Sequence, residues 1–261
     1  MKNIKTITII AITAIVCISS TVYATTKYLA SEVTYKNTTV ENALNELYNK
    51  IKSSDDMYDA FNKRLQKQKI KSLNNGVEIK KDENNDYYFH FDGIDDYIQL
   101  ENLSSSIDIK SGFIVTFKVR WDEFKNFSRI FELSNGSPRD NNIGFENYHR
   151  TGNIALYMYL GTDYKDHVSN NVVEINKTYN IEVKCIKNSD NYDIKYFVNG
   201  NEFYSTSSSQ QYANIDRNNN YIAKTSWTDS EYFKGRIYNF KLNLADGTTI
   251  YDIDVNKLIK N

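Results

Sequence analysis

The chain has 261 residues, of which 40% are hydrophobic and 25% are charged, a composition typical of a globular protein. Its 32 Lys and Arg residues balance 33 Asp and Glu residues, and the net charge of -1 excludes the electrostatic attraction on which nucleic-acid binding depends. One Pro, 21 Tyr and 13 Phe favour β-strands, because aromatic side chains fit half-buried pleated surfaces. Heavy use of Asn, Lys and Ile, whose codons are A/T-rich, indicates an AT-rich bacterial genome.

Residues 1–24 have the polarity order of an export signal. Lys2 and Lys5 precede an apolar run over residues 7–18, and residues 22–24 (Val-Tyr-Ala) form a signal-peptidase site. We expect cleavage after residue 24; an uncleaved membrane anchor is the alternative, since about 20 apolar residues span a bilayer. Either way, the rest of the chain is expected to be secreted or held at the extracellular face of the bacterial membrane, with the membrane contacted only through this segment.

Residues 25–75 are predicted to form a helical stalk or linker. Apolar residues recur at helical spacing in two stripes, first Val40, Leu44, Leu47 and Ile51, and then Tyr58, Phe61 and Leu65. The stretch between them, residues 53–56 (Ser-Ser-Asp-Asp), either breaks the helix or caps a second one. Because a short apolar stripe is not stable alone in water, the stalk must pack on the following domain, pair with itself in a homo-oligomer, or meet a partner.

Residues 76–261 change to the alternating pattern of β-strands. Phe113, Val115 and Phe117 begin a stripe that continues to Trp121, which predicts a half-buried strand. Asn199-Gly200 between two aromatic runs predicts a tight hairpin. Other predicted strands are Tyr87–Phe91, Tyr97–Leu100, Arg129–Leu133, Ile154–Leu160, Ile181–Cys185, Tyr221–Ala223 and Arg236–Leu242. Many short strands without intervening helices predict an all-β fold, an antiparallel two-sheet sandwich.

Two details of these strands can be tested. Ile237, Phe240 and Leu242 keep one face only if a β-bulge lies near Tyr238-Asn239. Cys185 lies on an apolar strand face, where we expect a buried and unreactive thiol.

Two motifs bracket the β region. Residues 91–98 (Phe-Asp-Gly-Ile-Asp-Asp-Tyr-Ile) lie near its start, and residues 232–242 (Tyr-Phe-Lys-Gly-Arg-Ile-Tyr-Asn-Phe-Lys-Leu) lie near its end. In this order and separation they resemble the laminin-G-like, concanavalin A-like lectin/glucanase domain. The resemblance covers about residues 78–256. It implies a jelly roll of two curved antiparallel sheets, with a concave face and ligand loops at one rim.

The residues themselves favour a non-catalytic protein. Retaining glycosidases need two carboxylates about 5 Å apart, and the Glu-x-Asp-x-x-Glu pattern of hydrolases on this scaffold does not occur. Asp252 and Asp254 have a suitable spacing, but no third acid follows them, and Glu146 stands alone in the sequence. A glycoside hydrolase is therefore the less favoured interpretation.

An acidic segment suggests a metal site. Residues 82–108 contain eight acids and no Lys or Arg, and Asp92, Asp95 and Asp96 crowd one turn. Calcium takes 6–8 oxygen ligands, so this turn predicts a calcium site. The alternative is that these acids only keep the surface soluble or cap the turn.

Three aromatic residues are predicted to bind a ligand. Tyr157 and Tyr159 share one strand face, and Trp227 lies in a loop; their rings offer stacking surfaces for a sugar. The alternative is that the strand tyrosines are merely good β-formers.

These features predict an exported binding or adhesion module for a glycan or a cell-surface protein. A structural or assembly subunit of a surface or phage-type appendage, which would oligomerise through the stalk, is the alternative.

Overall fold

The computed structural model describes residues 34–35, 38–227 and 231–260, with side-chain exposure from residue 42 onward. The predicted leader over residues 1–24 lies outside this part of the chain. The chain divides into two compact units, the first ending at Ala60 and the second beginning at Phe61. Among the described residues, no helix combines the length and apolarity needed to cross a membrane.

The first unit contains two short antiparallel strands, β1 (Thr34–Tyr35) and β2 (Thr38–Thr39), followed by most of helix α1 (Val40–Lys67). The helix is continuous over 28 residues, so the Ser-Ser-Asp-Asp stretch over 53–56 does not interrupt it. Ser and Asp lower helix propensity by only a fraction of a kcal/mol each, roughly 0.5 kcal/mol, which one turn tolerates between good helix formers. The last turns of α1 belong to the second unit, where Leu65 joins the hydrophobic core.

The second unit is built almost entirely of β-strands. They are β3 (Ile70–Asn74), β4 (Glu78–Lys81), β5 (Tyr87–Asp92), β6 (Tyr97–Leu100), β7 (Gly112–Glu123), β8 (Arg129–Leu133), β9 (Ile143–Asn147), β10 (Ile154–Leu160), β11 (Asp163–Val168), β12 (Thr178–Asn188), β13 (Asn191–Val198), β14 (Asn201–Ser208), β15 (Tyr221–Ile222), β16 (Lys234–Leu244) and β17 (Thr249–Asp254). A 3-10 turn (Ile109–Ser111) precedes β7, and helix α2 (Val255–Lys260) follows β17.

The strands form two antiparallel sheets. One has seven strands in the order β11-β10-β9-β8-β15-β6-β3; the other has eight, in the order β14-β13-β12-β7-β16-β5-β4, with β17 added beside β16. The predicted two-sheet antiparallel sandwich is thus confirmed. Strand β3 precedes residue 76, where the β region was predicted to begin. It nevertheless belongs to the seven-stranded sheet, because it pairs with β6 and its first residue, Ile70, is fully buried.

The core lies between the two sheets. Phe117 of β7 meets Phe145 of β9 with ring centroids 5.4 Å apart, and Phe131 of β8 meets Phe240 of β16 at the same separation. These contacts join one sheet to the other, and burial of such aromatic side chains dominates core energetics. Cys185 is fully buried, as predicted, and burial raises the pKa of its thiol to about 12.

One irregularity predicted from the sequence pattern is present in β16. The register between β16 and β7 shifts between Ile237 and Asn239, which confirms the predicted bulge and keeps Ile237, Phe240 and Leu242 buried. Gly93 follows β5 with φ 77°, a left-handed conformation that favours glycine, so the chain turns sharply there.

The outer faces of the two sheets differ. In β7, β12 and β13 of the eight-stranded sheet, buried and more exposed residues alternate, as expected for a sheet with one face toward solvent. In β8 and β9 of the seven-stranded sheet every residue is buried, and in β10 all but the last. The outer face of these central strands is therefore covered.

Candidate functional site

A cleft of about 460 Å³ lies on the outer face of the seven-stranded sheet. Its lining residues are aromatic or charged, with a single proline: Phe127, Arg129, Pro138, Arg139, Glu146, Tyr157, Tyr159, Tyr164, Asp166, Trp227 and Glu231. They come from β8 to β11 and from the loops that cover these strands. A concave site with apolar walls and a few convergent polar groups is the usual form of a small-ligand site.

A β-bulge sets the charged floor of the cleft. The register between β8 and β9 shifts between Arg129 and Phe131, so that Arg129 lies directly opposite Glu146. The guanidinium of Arg129 donates to the Glu146 carboxylate and to the Phe127 carbonyl oxygen, the latter at 2.6 Å. Arg129 is 2% exposed, and its second terminal nitrogen lies 3.2 Å from Glu231 Oε2. Burial of this charge is tolerated because two carboxylates surround it.

Gly144 makes room for Tyr157. Tyr157 and Glu132 both pair with Gly144 from its two neighbouring strands, so the three residues share one row of the sheet face. The Tyr157 ring lies across Gly144, and a Cβ there would stand 2.2 Å from the Tyr157 hydroxyl oxygen. That hydroxyl donates to Glu132 Oε2 at 2.6 Å and accepts a bond from Arg129 Nε at 3.1 Å.

Glu132 also anchors the loop that carries Trp227. Its carboxylate accepts hydrogen bonds from the Thr225 hydroxyl and from the Ser226 backbone N–H, both at 2.8 Å. The backbone N–H of Trp227 in turn donates to Thr225 Oγ1 at 3.2 Å. One buried carboxylate therefore positions Tyr157 below the cleft and Trp227 at its wall.

The structure brings the three predicted ligand-binding residues together. The Trp227 ring centroid lies 5.8 Å from that of Tyr157 and 5.6 Å from that of Tyr159. Tyr159 stacks on Tyr164 at 5.1 Å, and Tyr164 is 59% exposed at the mouth. Tyr157 is only 1% exposed, so it supports the site from below, while Trp227 and Tyr164 present their rings. Direct contact of these residues with a ligand stays a prediction.

Two arginines approach the indole of Trp227. The guanidinium carbon of Arg129 lies 5.0 Å from the ring centroid, and that of Arg139 lies 5.5 Å from it. Cation–π contacts of this kind hold the ring in place. The indole N–H of Trp227 is buried and has no hydrogen-bond partner among the described residues. A ligand oxygen would satisfy this donor.

Two carboxyl groups in the cleft bind their protons more tightly than usual. Burial raises the pKa of Asp166 and that of Glu231, and the charge of Arg129 only partly offsets the effect. Burial, followed by the charge of Asp166, raises the pKa of the Tyr159 hydroxyl to about 12. The tyrosine therefore stays protonated and can donate to a ligand at neutral pH.

The predicted metal residues lie away from this cleft, on the turn between β5 and β6. Asp92, Asp95 and Asp96 offer ligand atoms within 4.8 Å of one another. Asp96 Oδ2 accepts the Asp92 N–H at 2.9 Å, and Asp92 Oδ1 accepts the Ile94 N–H at 2.7 Å, so two of the carboxylates also brace the turn. Each of these two keeps one further oxygen, a set that fits a hard cation, and calcium binding stays a prediction.

The carboxylates and arginines of the cleft were not recognisable from sequence. Arg129 and Glu132 lie three residues apart in β8 and Glu146 lies in β9, and only the bulge and the register bring them together. The available signal in the sequence is that each of them stands in a short strand whose other residues are mostly apolar. Buried charges need partners, so such positions point to a paired site on the covered face.

A second depression, of about 520 Å³, lies on the outer face of the eight-stranded sheet. Its lining includes Glu182 and Lys184, whose Oε1 and Nζ atoms lie 3.0 Å apart and form an ion pair. Both side chains are about one-third exposed. Its charged pair is mutually satisfied and solvated, whereas Arg129 and Glu146 of the cleft are buried. The cleft is therefore the better candidate.

Comparison with known families identifies the sandwich. The family model described as the concanavalin A-like lectin/glucanases superfamily, a laminin G type, matches residues 92–243, more than half of the chain. This match confirms the resemblance drawn from the two bracketing motifs. Comparison with curated proteins finds no match.

Solved structures share the architecture at low sequence identity. Domain 4 of AbnA, an extracellular arabinanase of Geobacillus stearothermophilus solved with arabinotriose, is 12% identical with a TM-score of 0.51, covering 72% of this chain and 81% of that one. The enzymatically active domain of bacteriophage CBA120 tailspike protein 2 is 7% identical with a TM-score of 0.53, covering 70% of this chain and 32% of that one. Domains LG4-5 of mouse laminin alpha1 are 14% identical with a TM-score of 0.44, covering 68% and 44%. The similarities to the arabinanase domain and to the tailspike domain concern the fold alone.

Proposed function

The chain belongs to the concanavalin A-like lectin/glucanases superfamily, and we propose that its sandwich is a non-catalytic, exported module that binds a neutral oligosaccharide in the cleft on the seven-stranded sheet. The observation that carries this proposal is the convergence of Trp227, Tyr159 and Tyr164 with buried charged groups at one concave site. The predicted leader supplies the route for export.

The chemistry of the cleft suits a sugar. The C–H faces of a sugar ring are apolar and stack on aromatic rings, while its hydroxyls need hydrogen-bond donors and acceptors. Trp227 and Tyr164 offer rings at the wall and the mouth. The indole N–H of Trp227, which has no hydrogen-bond partner among the described residues, and the carboxyl groups of Asp166 and Glu231 offer hydrogen-bonding groups beside them.

The charge balance of the cleft favours a neutral ligand. Three carboxylates, Glu146, Asp166 and Glu231, line it against two guanidiniums, those of Arg129 and Arg139. Arg129 is already engaged by Glu146 and Glu231, which leaves little positive charge for an anionic sugar. A carboxylated or sulfated glycan would meet like charges, and such juxtapositions cost several kcal/mol, about 2 kcal/mol or more.

The same pairing argues against hydrolysis. A glycosidase needs one protonated carboxylic acid and one free carboxylate on opposite sides of the scissile bond. Glu146 is bound to Arg129, and Glu132 accepts four hydrogen bonds below the cleft, so neither carboxylate is free.

A glycoside hydrolase is the second candidate. The raised pKa values of Asp166 and Glu231 favour it, because a general acid must hold its proton near neutral pH. Turnover measurements separate it from the binding module.

The test is calorimetric titration of the full chain with arabinotriose, cellotriose and galactotriose as neutral probes, and with sialyllactose as the acidic probe. Arabinotriose is included because the similar arabinanase domain was solved with it. We expect saturable binding of at least one neutral probe, weaker binding of sialyllactose, and no new products on chromatography after prolonged incubation. Tight binding of sialyllactose alone would contradict the neutral ligand, and release of shorter sugars would establish the hydrolase.

A further inference from the structure

Helix α1 carries an apolar surface that the cleft does not use. Within the first unit its exposed large hydrophobic residues are Leu44 (42% exposed), Leu47 (42%), Tyr48 (65%), Ile51 (52%), Met57 (65%) and Tyr58 (67%). Single exposed apolar residues are ordinary, but a continuous row of them marks an interaction surface.

The row follows the repeat of a coiled coil. Because the helix runs without a break, the two apolar stripes of the sequence join through Ser54 into one pattern with alternating spacings of three and four residues. With heptad positions lettered a to g, Leu44, Ile51 and Tyr58 occupy a positions, and Leu47 and Ser54 occupy d positions. This period of 3.5 residues keeps one seam facing a partner helix as the two wind round each other.

The rest of the helix surface agrees with this assignment. The other exposed apolar residues, Tyr48 and Met57, fall at e and g positions beside the seam. Positions b, c and f, which face away from it, hold Asn45, Glu46, Asn49, Lys52, Ser53, Asp56, Asp59 and Ala60. All large apolar residues from 44 to 58 therefore lie on one side of the helix.

The charges beside the seam identify the partner and its direction. Lys50 occupies a g position and Asp55 the following e position. In a parallel pair the g residue of one helix meets the next e residue of the other, so two copies of this chain would form the Lys50–Asp55 pair twice. An antiparallel pair would bring g against g and e against e, which places like charges together.

From this pattern we infer that α1 joins two copies of the chain in a parallel two-stranded coiled coil over about residues 40–60. The β-branched Ile51 at an a position and Leu47 at a d position suit two strands rather than three or four. The pairing depends on the helix alone and stands whether or not the cleft binds a sugar.

Sedimentation equilibrium of the full chain in density-matched detergent tests the pairing. We expect the mass of a dimer for the unaltered chain and of a monomer for the double variant Leu47→Asn with Ile51→Asn. The matched control, Glu46→Asn with Ser53→Asn, introduces the same two asparagines away from the seam and should remain dimeric. A monomeric or trimeric unaltered chain, or a dimer that survives Leu47→Asn with Ile51→Asn, would overturn the inference.

A charge exchange tests the direction of the helices. Lys50→Asp and Asp55→Lys each replace two attractive pairs by repulsive ones, so each variant alone should dimerise roughly tenfold more weakly. A mixture of the two variants restores both attractive pairs and should form the mixed dimer in preference to either homodimer. Failure of the mixture to recover affinity would exclude the parallel arrangement.

Discussion

Along β7 and β12 of the eight-stranded sheet, buried residues alternate with more exposed ones, whereas along β8 and β9 of the seven-stranded sheet every residue is buried. Both sheets use their inner faces in the same way, to form the core. They differ on their outer faces, where one meets solvent and the other lies beneath loops. The covered face holds Arg129, Glu132 and Glu146, charges that protein interiors seldom contain without a specific role.

This contrast teaches that loss of alternation marks the site. A sheet with one solvated face has a two-residue period of burial, and a departure from that period shows that something covers the other face. Here a loop covers the outer face, and its residues Thr225 and Ser226 donate hydrogen bonds to Glu132. If the two outer faces differ in energy as they do in burial, comparable substitutions on the two sheets should have unequal effects.

The largest difference in stability is expected when one ion pair is broken on the outer face of each sheet. Arg129→Ala leaves the buried carboxylates of Glu146 and Glu231 without their counter-charge and should lower the free energy of unfolding by about 3–5 kcal/mol. Lys184→Ala, which breaks the more exposed pair with Glu182 on the other sheet, should lower it by about 0–1 kcal/mol. Urea unfolding of both variants measures the difference; equal losses would show that the two faces are alike.

A smaller loss of stability is expected when a side chain is added at Gly144. Gly144→Ala places a methyl group against the buried ring of Tyr157, which cannot swing away without leaving Glu132. Such overpacking should destabilise the protein by about 1–3 kcal/mol. Thr116→Ala, on the outer face of β7, is the control and should change stability by about 0.5 kcal/mol or less. Unchanged stability of Gly144→Ala would mean that the close approach of Tyr157 is not required.

The exposed aromatic residues at the two sheet edges should differ in ligand binding. Tyr164 on β11 stands at the mouth of the cleft, and Phe203 on β14 is similarly exposed on the other sheet. Tyr164→Ala should weaken binding of a neutral oligosaccharide roughly fivefold, since a stacking contact contributes about 1 kcal/mol. Phe203→Ala should leave the affinity unchanged. Calorimetric titration of both variants decides, and equal affinities would remove Tyr164 from the site.

The smallest effects concern the pH dependence of two acids. Burial raises the pKa of Asp166 above its ordinary 3.8, so its folded form holds the proton more tightly and the stability it contributes is lost as pH rises through the raised pKa. Asp166→Asn should therefore gain stability relative to the unaltered chain as pH rises above 3.8.

Asp86 is the matched acid on the other sheet and should behave oppositely. The hydrogen bond from Lys118, 2.8 Å away, lowers the pKa of Asp86, so its stabilising contribution is complete at neutral pH and is lost as pH falls through the lowered pKa. Asp86→Asn should be most destabilising near neutral pH and nearly neutral in acid. Thermal melts across the acidic range measure both variants; the same sign for both would contradict the assigned environments.

The architecture could be predicted from sequence because its determinants are local. Alternation from Phe113 to Trp121 predicted β7, and Asn199-Gly200 predicted the turn between β13 and β14. Strands β3, β4, β9, β11 and β17 of the sandwich were missed. In β9 Gly144 and Glu146 interrupt the pattern, and in β11 the residues from Asp163 to Asp166 make it polar.

Only half of the cleft could be predicted in the same way. Tyr157, Tyr159 and Trp227 were recognisable as aromatic residues with stacking faces. Arg129 and Glu132 were not, since they are three residues apart and share a face only through the bulge in β8. Their partners come from other strands and from a loop, so the charged floor exists only after tertiary folding.

The most direct test of the account is the fluorescence of the two tryptophans during titration with neutral oligosaccharides. Trp121 is buried in the core, whereas Trp227 lines the cleft, so a bound sugar should change only the emission of Trp227. We predict a saturable change for a neutral oligosaccharide that disappears in Trp227→Phe and persists in Trp121→Phe. Calorimetric binding of the same sugar with no change in Trp227 emission, or with undiminished affinity in Trp227→Ala, would place the ligand outside the cleft and contradict the account.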